Sequence, residues 1–199
     1  MPDGSTRDGS TFDASTFELQ PVLCGELVEL RPLRPDDWDA LFAVASDPLI
    51  WEQHPVRDRY TERVFRGFFE DALASGGAFA VVDRATGDII GSSRYHGLSA
   101  ERSEIEIGWT FLARAYWGGR YNGEMKSLML SHAFRFVHRV VFLIGPNNIR
   151  SQLAVRRIGA VPAGLRIADG RESMVFELTS ESYVPPSARP NAPGKNPAS

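Results

Sequence analysis

The sequence predicts a mixed α/β sandwich, with a mostly antiparallel sheet, helices on both faces and one parallel pair of strands. Apolar runs typical of strands alternate with segments of helical periodicity, in the order β-α-α-β-β-β-α-β-α-β-β. One unit has the pattern of a strand, a crossover helix and a second strand: Glu104–Leu112, a helix over 123–137 and Arg139–Ile144. Such a crossover joins parallel strands. Short turns join most of the other strands and favour antiparallel pairing.

The first elements are predicted from alternating apolar and polar residues and from residues that begin or end helices. Residues 26–31 alternate and indicate a half-buried strand. Pro35 opens a helix with two aspartates in its first turn, where negative charge is favoured, and Asp47-Pro48 ends it. Thr61 caps a second helix with a phenylalanine-rich apolar stripe, and two glycines at 76–77 stop it.

The second half follows in the same way. Ala78–Asp83 and 89–95 form a hairpin, and Glu104–Leu112 is the next strand. The helix over 123–137 is apolar nearly all round, so we expect it inside the core. A continuous apolar run predicts a buried strand, Arg139–Ile144. A short helix over 150–158 ends at Gly159, and a last hairpin turns at 168–170.

Length and composition indicate one domain. Of the 199 residues, 43% are hydrophobic, and we place the folded domain at 23–184. Residues 1–20 and 185–199 have few large apolar residues, so we expect a flexible N-terminal arm and a flexible C-terminal tail.

Several partners and sites are disfavoured. A net charge of -3 argues against nucleic-acid binding, and no apolar stretch is long enough for a membrane span or a signal peptide, so we expect a cytoplasmic protein. The single cysteine, Cys24, excludes an internal disulfide, and we expect it buried as core filler. The four histidines have no metal-ligand spacing, so no metal is expected. A homodimer through the sheet edge or the last hairpin remains open.

The stretch 114–122, Arg-Ala-Tyr-Trp-Gly-Gly-Arg-Tyr-Asn, is a glycine-rich turn between a strand and a helix. The first turn of a helix presents unpaired N–H groups and the positive end of the helix dipole. Adjacent glycines let a phosphate approach those groups closely. The stretch therefore suits a pyrophosphate cradle, and an ordinary tight turn is the alternative.

Three motifs, in order, resemble the GCN5-related N-acetyltransferase (GNAT) superfamily and, within it, the RimJ/RimL-like branch. They are Glu106-Ile107-Gly108-Trp109, then Tyr116-Trp117-Gly118 through Glu124, then Asn148-Ile149-Arg150-Ser151 with Gly159-Ala160 after it. The resemblance covers about residues 25–183. It implies a GNAT-type sheet in which the parallel strand pair splays apart, and acetyl transfer from acetyl-coenzyme A to a primary amine by direct attack in a ternary complex.

The resemblance also implies where the acyl carrier binds. The pyrophosphate would lie on the N–H groups of 118–123, and the pantetheine arm along the backbone of 109–112, with Asn148 hydrogen-bonded to the arm. Arg114 and Arg120 would add positive charge near the phosphates. The implied set is Trp109, Thr110, Phe111, Leu112, Arg114, Trp117, Gly118, Gly119, Arg120, Tyr121, Asn122, Gly123 and Asn148.

Amine acetylation needs a base for the ammonium and a partner for the departing thiolate. Glu106 is the candidate base or water relay, because strand alternation turns it away from Ile105 and Ile107, and Glu104 is the reserve. Many family members carry a tyrosine acid where this chain has Val155, so the RimL-like branch suggests Ser151 instead. An exposed strand glutamate and a serine bonded to backbone are the respective alternatives.

Other polar and aromatic residues receive structural interpretations first. Glu124 matches the helix dipole, Lys126 is a solvated charge rather than a phosphate contact, and His132 packs on the core helix. Candidates for the rim of the acceptor site, with core filling as the commoner role of the aromatics, are His54, His96, Trp51, Tyr60 and Tyr95.

Two functions therefore remain in view. The first is an N-acetyltransferase acting on a protein N-terminus or on a small-molecule amine. The second is a module that binds an acyl-coenzyme A as a sensor, without turnover, which Arg120 and Val155 keep open because they depart from the family pattern.

Overall fold

The computed structural model describes residues 13–168 and 170–185. Its regular elements match the predicted order, and a two-residue strand precedes them. The strands are β1 (Leu23–Cys24), β2 (Val28–Pro32), β3 (Ala78–Asp83), β4 (Ile89–Ser99), β5 (Glu104–Leu112), β6 (Arg139–Ile144), β7 (Val161–Ala168) and β8 (Arg171–Thr179). The helices are α1 (Trp38–Ala45), α2 (Glu62–Ala74), α3 (Arg120–Ala133) and α4 (Ile149–Arg157).

The eight strands form one sheet in the order β1-β2-β3-β4-β5-β6-β8-β7. All neighbours are antiparallel except β5 and β6, which confirms the predicted parallel pair. That pair is short, because only 104–106 of β5 face 139–141 of β6. Beyond this point β5 pairs only with β4 and β6 only with β8, so the two strands part and the sheet opens into a cleft.

The sheet has an apolar layer on each face, as predicted. On one face, α3 packs through Met125 and Met129 into a cluster that contains Phe79, Ile105 and Ile107. On the other face, α1 and α2 pack over Ala80 and Phe111, mainly through a second cluster. That cluster includes Leu41, Phe65, Phe68 and Phe69. Burial of each large apolar side chain contributes about 1.5–3 kcal/mol, so both layers hold the cleft strands in place.

Glu124 ties the start of α3 to the β1–β2 turn. Its carboxylate accepts hydrogen bonds from the backbone N–H groups of Glu26, Leu27 and Val28 at 2.7–2.8 Å. A side chain at Gly25 would collide with that carboxylate, at 2.5 Å from an added Cβ. Glu124 is therefore structural, as predicted, but through contacts with the neighbouring turn, which sequence spacing does not show.

Three local predictions need correction. Cys24 is exposed rather than buried, because it lies on the short edge strand β1 opposite Glu29. Helix α3 begins at Arg120 and ends at Ala133, whereas 123–137 was expected. That helix is not buried all round, since Ser131 is exposed and Leu128 is half-buried.

The described part of the predicted N-terminal arm, 13–20, contacts the domain. The Phe17 ring lies 5.2 Å from the ring centroids of both Tyr95 and His132. Residues 1–12 and 186–199, which hold the rest of the predicted arm and nearly all of the predicted tail, lie outside the described residues. Within the described ranges, no helix is long and apolar enough to cross a bilayer.

Candidate active site

Strand β5 bends at the mouth of the cleft. Trp109 has a φ of 51°, which is uncommon for any residue but glycine. The pairing with β4 shifts there, since Arg94 faces Gly108 and Ser92 faces Phe111, so β5 carries one extra residue. Such bulges turn backbone groups out of the ladder and are common beside active sites. The bulge therefore opens β5 backbone toward the cleft.

The glycine-rich stretch forms the predicted turn into α3. Gly118 and Gly119 have φ values of 105° and 116°, and an added Cβ at either would meet no atom within 4 Å. The first helical bond runs from the Gly123 N–H to the Gly119 carbonyl at 2.7 Å, so the preceding N–H groups have no partner within the helix. Exposed N–H groups beside open space suit an anion such as a phosphate.

A cavity of about 540 Å³ joins this turn to the cleft and to the segment after α1. Its lining includes Trp51, His54 and Arg59, the glycines at 118 and 119, and residues 107–112 of β5. Predicted carrier-binding residues that line it are Trp109, Thr110, Phe111, Leu112, Trp117, Gly118, Gly119, Asn122, Gly123 and Asn148.

Three residues of the predicted set lie outside this lining. Arg114 forms an ion pair with Asp47 instead of pointing at the glycine turn. The Tyr121 ring packs edge-on against Tyr116, with centroids 4.8 Å apart. Arg120 is exposed on the first turn of α3. The structure thus brings the turn backbone into the cavity but not these three side chains.

Helix α4 closes the other side of the cleft. Asn148 is buried and caps α4, since its Oδ1 accepts the Ser151 N–H at 3.2 Å. Ser151 and Val155 also line the cavity. The Ser151 hydroxyl has no hydrogen-bond partner in the described part of the chain, so it is available to a ligand.

The two candidate bases differ in their surroundings. Glu104 is almost fully buried and forms ion pairs with Arg102, Arg139 and Arg166, which makes it part of a structural charge network. Glu106 is half-buried at the last β5 position that pairs with β6. Its Oε1 would lie 2.9 Å from a Cβ added at Gly108, so the carboxylate turns toward the bulge.

Lys126 was expected in solvent, and this prediction is wrong. Its side chain is buried in the wall of the cavity, where Nζ donates to Thr110 Oγ1 at 2.6 Å and to Ser93 Oγ at 3.3 Å. Burial lowers the pKa of this amine from 10.5 to about 7. The sequence held one hint that this residue is special, because the chain has only two lysines but twenty arginines.

The cavity lining also includes aromatic and basic groups. Of the five candidate rim residues, Trp51 and His54 line it, whereas Tyr95 is buried in the core and donates to the Met129 carbonyl. Burial, reinforced by nearby Arg59, lowers the pKa of His54 to about 4, so this imidazole is neutral at pH 7.

The remaining two candidates are not part of the lining. Tyr60 is exposed, and the exposed His96 ring packs on the Trp109 ring, with centroids 5.0 Å apart. His132 packs on α3 as predicted, among the rings of Phe17, Tyr95 and Phe136. Sequence reasoning missed Arg59, which also lines the cavity.

Comparison with known proteins identifies the family. The profile of the acetyltransferase (GNAT) domain matches residues 28–161, about two thirds of the chain. The chain belongs to the GNAT acetyltransferase family. A GNAT acetyltransferase is an acyltransferase, and the fold uses acetyl-coenzyme A as its acyl donor. Among the described residues, no group of His, Cys, Asp and Glu side chains could hold a metal ion.

Solved GNAT structures resemble this acyltransferase in fold. A GNAT-family protein from Chromobacterium violaceum superposes with a TM-score of 0.74 at 24% identity, over 92% of this chain and 96% of that one. For a GCN5-related N-acetyltransferase from Brucella melitensis the TM-score is 0.72 at 22% identity, with coverage of 82% and 80%.

RimJ from Mycobacterium smegmatis, solved with a coenzyme A disulfide, superposes with a TM-score of 0.59 at 21% identity, over 77% of this chain and 82% of that one. The comparison with curated proteins gave no significant match.

Proposed function

We propose that this GNAT acyltransferase moves an acetyl group from acetyl-coenzyme A to a primary amine, by direct attack in a ternary complex. The observation that supports this most is the continuous cavity from the glycine turn, past the β5 bulge, to Trp51 and Arg59. One cavity can therefore hold both substrates beside the bulge. The acceptor is a protein N-terminus, as for the RimJ/RimL-like branch, or a small-molecule amine.

The carrier would be held mainly by backbone groups. The N–H groups of the turn at 118–123 would bind the pyrophosphate, since Gly118 and Gly119 carry no Cβ that would obstruct it. After residue 106, the edge of β5 that faces β6 is unpaired and would bind the pantetheine arm like an added strand. The Asn148 amide nitrogen, whose partner oxygen caps α4, would donate to the same arm.

The reaction forms a nitrogen–carbon bond and breaks the carbon–sulfur bond of the thioester. The amine must first lose the proton of its ammonium form, and Glu106 is our candidate to accept or relay that proton. A β5 backbone N–H near Phe111 or Leu112 would polarise the carbonyl. The Ser151 hydroxyl would donate to the thiolate as it leaves.

A sensor that binds acyl-coenzyme A without turnover is the second candidate. Val155 supports it, because this buried, apolar residue occupies the position of the tyrosine acid in many family members. Calorimetry with acetyl-coenzyme A and a thiol-release assay over an amine panel separate the two. We expect binding and release, whereas binding with no release on any amine would favour the sensor.

A further inference from the structure

Two arginines, Arg59 and Arg94, lie against the same phenylalanine ring next to the cavity. The Arg59 guanidinium carbon is 4.6 Å from the Phe68 ring centroid, and that of Arg94 is 5.7 Å from the same centroid. Arg59 lines the cavity and Arg94 is 5% exposed behind it, 4.7 Å from the Trp109 ring. We call this pair the arginine cluster.

The arginine cluster contains buried donors without acceptors. Nε of Arg59 and both Nε and Nη2 of Arg94 have no hydrogen-bond partner among the described residues. Buried guanidinium groups are normally fully hydrogen-bonded, because leaving a charged donor unpaired is costly. These three nitrogens are themselves enclosed by protein, so they leave the two guanidinium groups under-bonded, and a ligand in the cavity would meet the other guanidinium atoms of Arg59.

Basic and acidic groups both surround the arginine cluster. Burial, with the charges of Arg94 and Arg171, lowers the pKa of Arg59 to about 10, and Asp58 opposes this only partly. Asp71 and Glu106 favour the charge on Arg94, yet its pKa is still lowered by burial. The chain carries a net charge of -3, so a cationic pocket is a local feature.

The surrounding surface is apolar and aromatic. Trp51 and Phe68 lie against Arg59, and Trp109 lies against Arg94. Aromatic walls exclude water, which strengthens attraction between a guanidinium and an anion. Arg59 Nη1 also lies 3.3 Å from His54 Nε2, so the guanidinium is held toward the cavity from one side.

We propose that the acceptor is an amine that also carries a carboxylate, which binds Arg59 directly while Arg94 supplies the second positive charge. This rests on the proposed N-acetyl transfer and names the acceptor class for it. The carboxylate can belong to a small amino acid or to an acidic side chain near the N-terminus of a peptide. Bidentate pairing of guanidinium and carboxylate would orient the amine toward the bulge.

The test compares matched amines that carry either a carboxylate or the corresponding amide, with rates expressed per free amine, because the amide makes the neighbouring amine less basic. Thiol release is measured with glycine against glycinamide and β-alanine against β-alaninamide, and with N-terminal pentapeptides that carry Asp or Asn at the second position. We expect kcat/KM to favour the carboxylate member of at least one series by about tenfold or more. Preference in the first two pairs indicates a small acceptor, and preference in the peptides indicates an acidic N-terminus.

Arg59→Gln should reduce that preference at least about tenfold, mainly through KM, because the pairing with the carboxylate is lost. Arg59→Lys keeps the charge but loses the planar fork, so its preference for the carboxylate substrate should lie between those of the wild type and Arg59→Gln. Arg63→Gln removes an exposed arginine of α2 that does not line the cavity and should leave the ratio unchanged.

Two outcomes would overturn the carboxylate site but not the proposed N-acetyl transfer. In the first, amines are acetylated without preference for a carboxylate; in the second, the preference survives Arg59→Gln. If no amine is acetylated, the N-acetyltransferase proposal fails, and the carboxylate site is judged by thermal shift with coenzyme A present. Glycine or the Asp peptide should then raise the melting temperature of the wild type but not of Arg59→Gln. No difference between the two proteins would refute the site.

Discussion

Lys126→Met should stabilise the protein below pH 7, and the gain should fade as the pH rises toward 9. Lys126 is 4% exposed and forms no ion pair with a described carboxylate, so its charge is poorly compensated in the folded state. The pKa lies near 7 in the folded protein and at the ordinary 10.5 in the unfolded chain. Below pH 7 both states are protonated, and the full cost of burying the charge is present.

The magnitude follows from that difference in pKa. At roughly 1.4 kcal/mol per pKa unit, burial of the charged amine lowers the free energy of unfolding by about 5 kcal/mol at pH 6. Methionine loses the two hydrogen bonds of the ammonium group. Thr110 and Ser93 still bond each other at 2.8 Å, so we expect a net gain of about 3 kcal/mol.

Above pH 7 the folded protein releases this proton before the unfolded chain does. The stability of the wild type therefore rises by roughly 1.4 kcal/mol per pH unit between pH 7 and 10.5, relative to the variant. The advantage of Lys126→Met should then be close to zero at pH 9.

Urea unfolding at pH 6, 7, 8 and 9 measures this difference directly. The matched control is Arg135→Met, which removes an exposed cation just after α3 and should give no slope between pH 7 and 9. A difference between Lys126→Met and wild type that is the same at all four pH values would refute the reasoning.

Three further changes test other parts of the structure. Glu124→Ala should lower the free energy of unfolding by about 2–4 kcal/mol in urea, since three backbone donors lose a charged acceptor, whereas the exposed Glu70→Ala should change it little. Gly119→Val should weaken coenzyme A binding at least about tenfold in calorimetry, because a side chain would enter the open turn at a strained φ. Gly76→Val places a side chain at a positive φ of 62° at the end of α2, outside the cavity lining, and a similar loss of affinity there would contradict the carrier assignment. Glu106→Gln should lower kcat and change its pH profile while carrier affinity holds, and an unchanged kcat would remove Glu106 from the mechanism.

The sequence was sufficient for elements whose pattern is local. Three strands, Ala78–Asp83, Glu104–Leu112 and Arg139–Ile144, have the predicted bounds, because alternation or a continuous apolar run is read along the strand itself. Gly119, with its φ of 116°, lets α3 start three residues before the predicted position. The error in the predicted start of α3 therefore comes from a backbone conformation at Gly119 that glycine adopts readily.

Side-chain surroundings made by distant segments could not be predicted in this way. Helical periodicity places Lys126 beside Met125, but its burial depends on hydroxyl groups from β4 and β5. Arg59 follows α1 in a loop, and only the folded sheet brings Arg94 next to it. Sequence rules place charged side chains in solvent, but Lys126 and Arg94 are buried by contacts between segments far apart in the chain.

The burial of Lys126 has a consequence for handling a reactive thioester. Any protein that concentrates such a donor exposes its own amines to stray acylation. Over residues 13–168 and 170–185, Lys126 is the sole lysine and is buried, so the exposed long basic side chains are arginines, whose guanidinium is a poor nucleophile at neutral pH. Lys126 itself lines the cavity, so mass spectrometry after incubation with the donor would report whether this buried amine is acylated.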